Sequence, residues 1–217
     1  MEVQCFTGGD FAQNGYVAWC EATGKCVIVD PGAAALNMVA AITGGAGEVT
    51  AVLLTHAHLD HVEGLGAIRD YTDVPTYLHT DDREMFDNLP VQAAMLGLTS
   101  SPRLDPPERE LEDGETFRFG ESGFKVIHTP GHSPGHVILH AGDDGLALVG
   151  DLVFAGSVGR TDLPGGNYQA LFRSIRQHVL TMPDETRLFA GHGPATTVGH
   201  ERTSNPFLVP SYGGELA

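Results

Sequence analysis

Between Thr55 and His61 the chain reads Thr-His-Ala-His-Leu-Asp-His, so His56, His58, Asp60 and His61 offer four metal-competent side chains within six residues. Residues two apart in extended backbone project to the same side, which aims His56 and His58 together. Asp60 and His61 follow where the chain turns towards a helix. Four donors are too many for one tetrahedral ion that must also keep a position open. Two ions roughly 3.5–4 Å apart would use them all. Further on, Thr129-Pro130-Gly131-His132, Gly150-Asp151, the stretch 156–162 and Gly191-His192-Gly193 place more His and Asp in loops rich in Gly and Pro. Imidazole and carboxylate donors suit zinc, iron or manganese. A pair of such ions acidifies a shared water towards a pKa of about 7, and can polarise a scissile carbonyl.

Those loops need a scaffold, and the apolar pattern supplies one. Tyr16 to Trp19 and Cys26 to Val29 read as a hairpin around Glu21-Ala22-Thr23-Gly24, and Asp30-Pro31-Gly32 ends its second strand. Ala33 to Ile42 reads as a helix closed by Gly44-Gly45. Val49 to Leu54 is a continuous apolar run, which suits a strand buried on both faces and leads straight into the histidine cluster. Val62 to Tyr71 reads as helix, Thr76 to His79 as strand, and Asp81 to Leu96 as one helix capped by Thr80 or Asp81. Leu98 to Pro107 reads as a surface loop. Four strands are expected in close succession, at Thr116 to Phe119, Phe124 to His128, Val137 to His140 and Leu146 to Val149. A helix at Tyr168 to Leu180 and a strand at Arg187 to Ala190 complete the pattern. Every donor segment thus falls at the end of an expected strand, where a rigid scaffold presents functional groups. Strand meanders interleaved with helices predict a mixed α/β (α+β) class, with two sheets flanked by helices in a single domain over 1–217.

Composition narrows the partners. The 217 residues include 28 acidic and 12 basic side chains, for a formal charge of -16. That excludes the clustered Lys and Arg of a nucleic-acid-binding surface. No apolar run approaches the roughly 18 residues of a membrane-spanning helix. The N-terminal residues show no basic and then apolar export signal, so the cytoplasm is the expected location. Cys5, Cys20 and Cys26 lack any CxxC spacing and read as small buried hydrophobes. Of the eleven histidines, His79, His128, His136, His140, His178 and His200 lie outside the donor segments. His136, four residues past His132, reads as a supporting group and not as a further donor. No heptad or apolar stripe announces an oligomer interface.

Taken in order, His-x-His-x-Asp-His after an apolar strand, Thr-Pro-Gly-His, Gly-Asp and Gly-His-Gly resemble the metallo-β-lactamase superfamily from about Thr55 to His192. The resemblance implies a four-layer αββα sandwich. It assigns His56, His58 and His132 to one metal, Asp60, His61 and His192 to a second, and Asp151 to a bridge between them. The implied cofactors are two divalent ions, zinc first and iron or manganese as alternatives. A metal-bridging hydroxide would then be the nucleophile, with Asp60 and Asp151 as the catalytic carboxylates.

Ser157 to Asp162 and the stretch from Gly191 through Asn205-Pro206-Phe207 resemble the compact glyoxalase II-like branch, which hydrolyses thioesters such as S-lactoylglutathione. Arg160, Tyr168 and Arg202 are the candidate contacts to such a small-molecule thioester or glutathione conjugate. Only 25 residues follow His192, with Arg202 their single Lys or Arg, which departs from the basic helical extension of longer glyoxalase II enzymes. The Gly-Arg-Thr-Asp run is shared with persulfide dioxygenases. That alternative would hold one Fe(II) through His56, His132 and Asp151, a two-His-one-carboxylate face. A lactonase and a non-catalytic metal-binding module are further alternatives.

Overall fold

Residues 1–98 and 104–209 are described by a computed structural model. They group into two compact units, one drawn from 1–98, 104–111 and 117–123, the other from 112–116 and 124–209. The fold class is mixed α/β, as the strand and helix pattern predicts.

The first unit is built on a six-stranded sheet in the simple order β1 (Glu2–Gly8), β2 (Gln13–Trp19), β3 (Lys25–Val29), β4 (Glu48–Leu53), β5 (Thr76–Leu78), β6 (Arg109–Glu110). Its first three strands are antiparallel neighbours, and β3 to β6 run parallel. Parallel neighbours need crossovers. α1 (Ala35–Gly44) makes the first; α2 (Leu59–Val62) and α3 (Leu65–Tyr71) make the second. Ala35, Met38 and Ile42 recur at helical spacing along α1 and pack on Cys26, Ile28 and Val52 of the sheet. Fully burying a side chain such as Met38 or Ile42 contributes roughly 1.5–3 kcal/mol. The alternate residues Val27, Val29, Ala51 and Leu53 are buried too, so both faces of these strands are covered.

The second sheet has the order β14-β13-β10-β9-β8-β7. Its strands are β7 (Thr116–Phe119), β8 (Ser122–His128), β9 (Val137–Ala141), β10 (Leu146–Gly150), β13 (Arg187–Ala190) and β14 (Thr196–Thr197). A separate hairpin, β11 (Val153–Phe154) and β12 (Ser157–Val158), follows β10. α6 (Tyr168–Ser174) continues as a π-helical turn, Ile175–Val179, and α7 (Val198–Ser204) follows β14. Leu171, Phe172, Ile175 and Val179 pack on Ile138, Ala147, Val149 and Leu188 of the sheet.

The structure corrects several expectations. The helix expected over Asp81 to Leu96 is a 3₁₀ turn, Thr80–Asp82, then α4 (Arg83–Asp87) and α5 (Leu89–Met95), divided at Asn88. Proline in the first turn of α5 explains the division, since Pro90 suits a helix start and not an interior. The cap is His79, whose Nδ1 accepts from the Asp81 N–H at 3.3 Å, in place of Thr80 or Asp81. Val62 to Tyr71 likewise divides into α2 and α3 around Gly64. Cys20 and Cys26 are buried, but Cys5 is exposed because β1 is an edge strand. Part of the expected loop over Leu98 to Pro107, residues 99–103, lies outside the described residues, and 104–107 are irregular. No described helix is long and apolar enough to cross a membrane.

Candidate metal centre

In the first unit the parallel register sets two chain exits side by side. Val29 of β3 pairs with Leu53 of β4, so Asp30 and the stretch Leu54-Thr55-His56 leave the same edge of the sheet. Asp30 is buried and takes a left-handed conformation, φ 49°. Its Oδ1 accepts from the Thr55 N–H at 2.7 Å, and its Oδ2 accepts from the Thr55 hydroxyl at 2.6 Å and from His61 Nδ1 at 3.0 Å.

These contacts settle two tautomers. The single hydroxyl hydrogen of Thr55 goes to Asp30, so towards His56 Nδ1, 3.0 Å away, Thr55 Oγ1 can only accept. His56 therefore carries its hydrogen on Nδ1, and so does His61, which faces a carboxylate. Both rings present the Nε2 lone pair as their ligand atom, the arrangement that metal-binding histidines use. The rings of His56 and His61 lie 4.1 Å apart between centroids, and those of His56 and His58 lie 4.8 Å apart. His58 is the extended residue that caps α2, and Asp60 and His61 occupy its first turn.

The backbone of this segment is braced from a distance. Asp82 Oδ2 accepts from the Ala57 N–H at 3.0 Å. Gln92 of α5 accepts from the Leu59 N–H at 3.0 Å and donates to the Ala57 and Met85 carbonyls at 2.9 and 3.0 Å. The local field is anionic: burial, then the Asp60 and Asp10 carboxylates, push the Glu63 carboxyl above its ordinary range. Such a field favours cations.

The second unit repeats the device with different parts. β10 and β13 are parallel, with Gly150 paired to Ala190, and the Gly191 N–H donates to the Gly150 carbonyl at 2.8 Å. Asp151 and His192 therefore leave one sheet edge together. His132 arrives on the loop between β8 and β9, where Gly131 (φ 143°) lies so close to α6 that a Cβ would meet Leu171 N at 2.2 Å. Only glycine fits there. His132 Nδ1 donates to the Arg160 carbonyl at 2.8 Å, which fixes its tautomer as well. His132 Nε2 and His192 Nε2 each lie 3.5 Å from the same atom, Asp151 Oδ2. That is beyond a normal hydrogen bond. Two metal–ligand bonds of about 2.1 Å meeting near a tetrahedral angle span roughly 3.4 Å, so a cation fits between these atoms.

His136 is buried and holds Asp151 in place. Its Nε2 accepts from the Asp151 N–H at 3.2 Å, and its Nδ1 lies 2.9 Å from the Thr129 hydroxyl.

A metallo-β-lactamase superfamily model matches residues 8–192, a span that runs through both units and includes all seven donors. The chain belongs to the metallo-β-lactamase superfamily. It is 34% identical over 209 residues to hydroxyacylglutathione hydrolase GloC of Haemophilus influenzae, covering 96% of this chain and 98% of that protein. The crystal structure of the BLEG-1 B3 metallo-β-lactamase matches with a TM-score of 0.89 at 35% identity, covering 96% of this chain and 100% of that one. The crystal structure of TTHA1623 in a di-iron-bound form matches with a TM-score of 0.86 at 40% identity, covering 94% and 100%. Metallo-β-lactamase superfamily proteins bind divalent metals and act broadly as metal-dependent hydrolases, and the His and Asp donors of this chain suit that chemistry.

The three candidate substrate contacts of this superfamily member all lie in the second unit. Arg160 makes a two-pronged pair with Asp162, 2.8 Å for each bond. That hydrogen bonding holds the exposed Asp162 carboxyl at about 2. Arg202 is committed to Asp184 and to the Leu180 and Met182 carbonyls. Tyr168, half exposed at the start of α6, packs against Phe172 with centroids 4.5 Å apart and the rings tilted by 48°. Sequence reasoning passed over Asp30, Asp82 and Gln92. Asp30 had a signal only as a turn residue at the end of a buried strand. Asp82 and Gln92 had none.

Proposed function

We propose that this chain is a binuclear metal-dependent thioesterase acting on hydroxyacylglutathione-type thioesters. In this reading His56, His58 and His132 hold one ion, Asp60, His61 and His192 hold the other, and Asp151 bridges them, with zinc as the first choice of metal. The observation that carries it is the fixed tautomer of His56, His61 and His132, each with Nδ1–H committed to an acceptor and Nε2 left as the donor atom. The substrate class is supported by the end-to-end likeness to GloC.

When bound, the metal pair supplies a water ionised near neutral pH and Lewis-acid stabilisation of a carbonyl oxyanion. The remaining tasks fall to the chain. Asp30 and the Arg160 carbonyl keep the imidazoles aimed, and His136 holds the Asp151 backbone. Asp60, only partly buried on the first turn of α2, would help hold the second ion and steady the attacking water. Neither Ser nor Cys is needed as a nucleophile. Arg160, Tyr168 and Arg202 are the candidates for contact with the thiol arm, and the two arginines would exchange their exposed Asp162 and Asp184 partners for it.

Metal analysis of the purified protein, run beside S-lactoylglutathione hydrolysis and oxygen uptake on glutathione persulfide, tests this reading. The expected result is about two metals per chain with thioester cleavage that a chelator abolishes and zinc restores. One iron per chain with oxygen consumption would replace the hydrolase by a dioxygenase.

A further inference from the structure

In α7 only Val198 and Glu201 are buried, and Glu201 is a carboxylate with no exposed surface. Its Oε2 accepts from the Gly156 N–H at 2.9 Å and from Asn205 Nδ2 at 2.8 Å, while its Oε1 accepts from the Thr196 hydroxyl at 2.5 Å. Asn205, one helical turn on and also buried, uses the same Nδ2 to donate to the Ser157 carbonyl at 2.9 Å. Together the two side chains grip the N–H of one residue and the C=O of the next, at the turn of the β11–β12 hairpin. Desolvating a carboxylate is costly, and an apolar residue of similar volume is often as good for stability. Packing alone therefore gives no reason for glutamate here.

The hairpin shows what the grip achieves. Just beyond it the Gly159 N–H donates to the Leu152 carbonyl at 3.2 Å, and the Arg160 carbonyl accepts from His132 Nδ1. We infer that Glu201 and Asn205 are positioning residues for metal binding: by fixing the hairpin they set the Arg160 carbonyl that orients His132 towards Asp151. This rests on the proposed reading of His132 and Asp151 as ligands. Partners that orient a ligating histidine are typically worth 10–100-fold in metal affinity. Acting through a hairpin, this pair belongs at the lower end, about 10-fold.

The test is zinc affinity of the full-length chain, by competition with a chromophoric chelator, together with the melting temperature of the metal-free protein. Glu201→Ala and Asn205→Ala are each expected to weaken one of two zinc sites about 10-fold. Glu201→Gln should restore wild-type affinity, because its carbonyl can still accept from Gly156 and Asn205 while its amide donates to Thr196. Thr196→Val removes a bond on the far side of Glu201, and should lower the melting temperature while leaving zinc affinity intact. If Glu201→Ala does not fold, Asn205→Ala decides the matter. Folded alanine variants with wild-type zinc affinity overturn the inference, as does a Thr196→Val protein that loses as much affinity as they do. A wild-type chain that takes up no zinc overturns the metal reading itself and this inference with it, whereas two zincs held equally well by wild type and variants overturn only the positioning role.

Discussion

The first unit offers four donors within six residues of a single strand end, whereas the second draws its three from separate loops at His132, Asp151 and His192. Both units rely on a parallel strand pair, β3 with β4 and β10 with β13, to set two chain exits side by side. They divide the labour differently. In the first, one exit carries the donors and the other carries Asp30, a side chain that braces them. In the second, both exits carry donors, and the brace on His132 is a backbone carbonyl. A side-chain brace is removed by one substitution. A backbone brace can be disturbed only by moving the loop that bears it.

Asp30→Ala should therefore have the largest effect. It leaves buried donors on Thr55 and His61 without their acceptor, at about 3 kcal/mol or more. Chemical denaturation should show that loss, and zinc titration the loss of a metal; a variant with wild-type stability and two metals would show the side-chain brace to be dispensable. Gly159→Ala attacks the backbone brace, since a Cβ there would lie 1.8 Å from the Asp151 carbonyl and 3.3 Å from His132 Nδ1. Overpacking of this kind costs about 1–3 kcal/mol. In the metal-free protein the expected signature is a shifted His132 imidazole resonance. Gln92→Leu comes next, at about 1–2 kcal/mol, because the Leu59 N–H and the Ala57 carbonyl, both on buried residues, lose a partner. Equal zinc affinity in Gln92→Leu and wild type would reduce Gln92 to a packing residue. Arg160→Ala should be smallest. Surface pairs contribute little, so the melting temperature at neutral pH should hardly move. The Asp162 carboxyl, held at about 2 by Arg160, should return towards 3.8 when titrated by NMR. A lowered folded-state value means that whatever the pair contributes is present above pH 3.8 and fades as pH falls through about 2.

The same contrast explains what could be read from sequence. His56 to His61 stood out because local spacing alone groups them, and the apolar run before them marks the strand that delivers them. Asp151 and His192 stood out only through Gly-rich loops at strand ends. Their partnership depends on the β10–β13 register, which joins residues some forty positions apart in sequence. Asp30 was read merely as a turn former, since nothing local reveals that the β3–β4 register will carry it to Thr55 and His61. Gln92 and Glu201 resemble solvent-facing helix residues until their helices are docked. Short elements were lost for a related reason. β6, β11, β12 and β14 have two residues each, too few for any alternation to register. α7 shows little apolar periodicity because one of its buried residues is a glutamate.

The Asp30 brace also bears on how the protein comes to hold its metal. It joins residues 25 positions apart, across the β3-α1-β4 crossover. Closing a parallel pair around a helix is a slow, non-local event in folding. Until it happens nothing fixes the tautomers of His56 and His61, and the nascent chain carries four ordinary side chains with no prepared site. The prepared site therefore forms only once the crossover has closed.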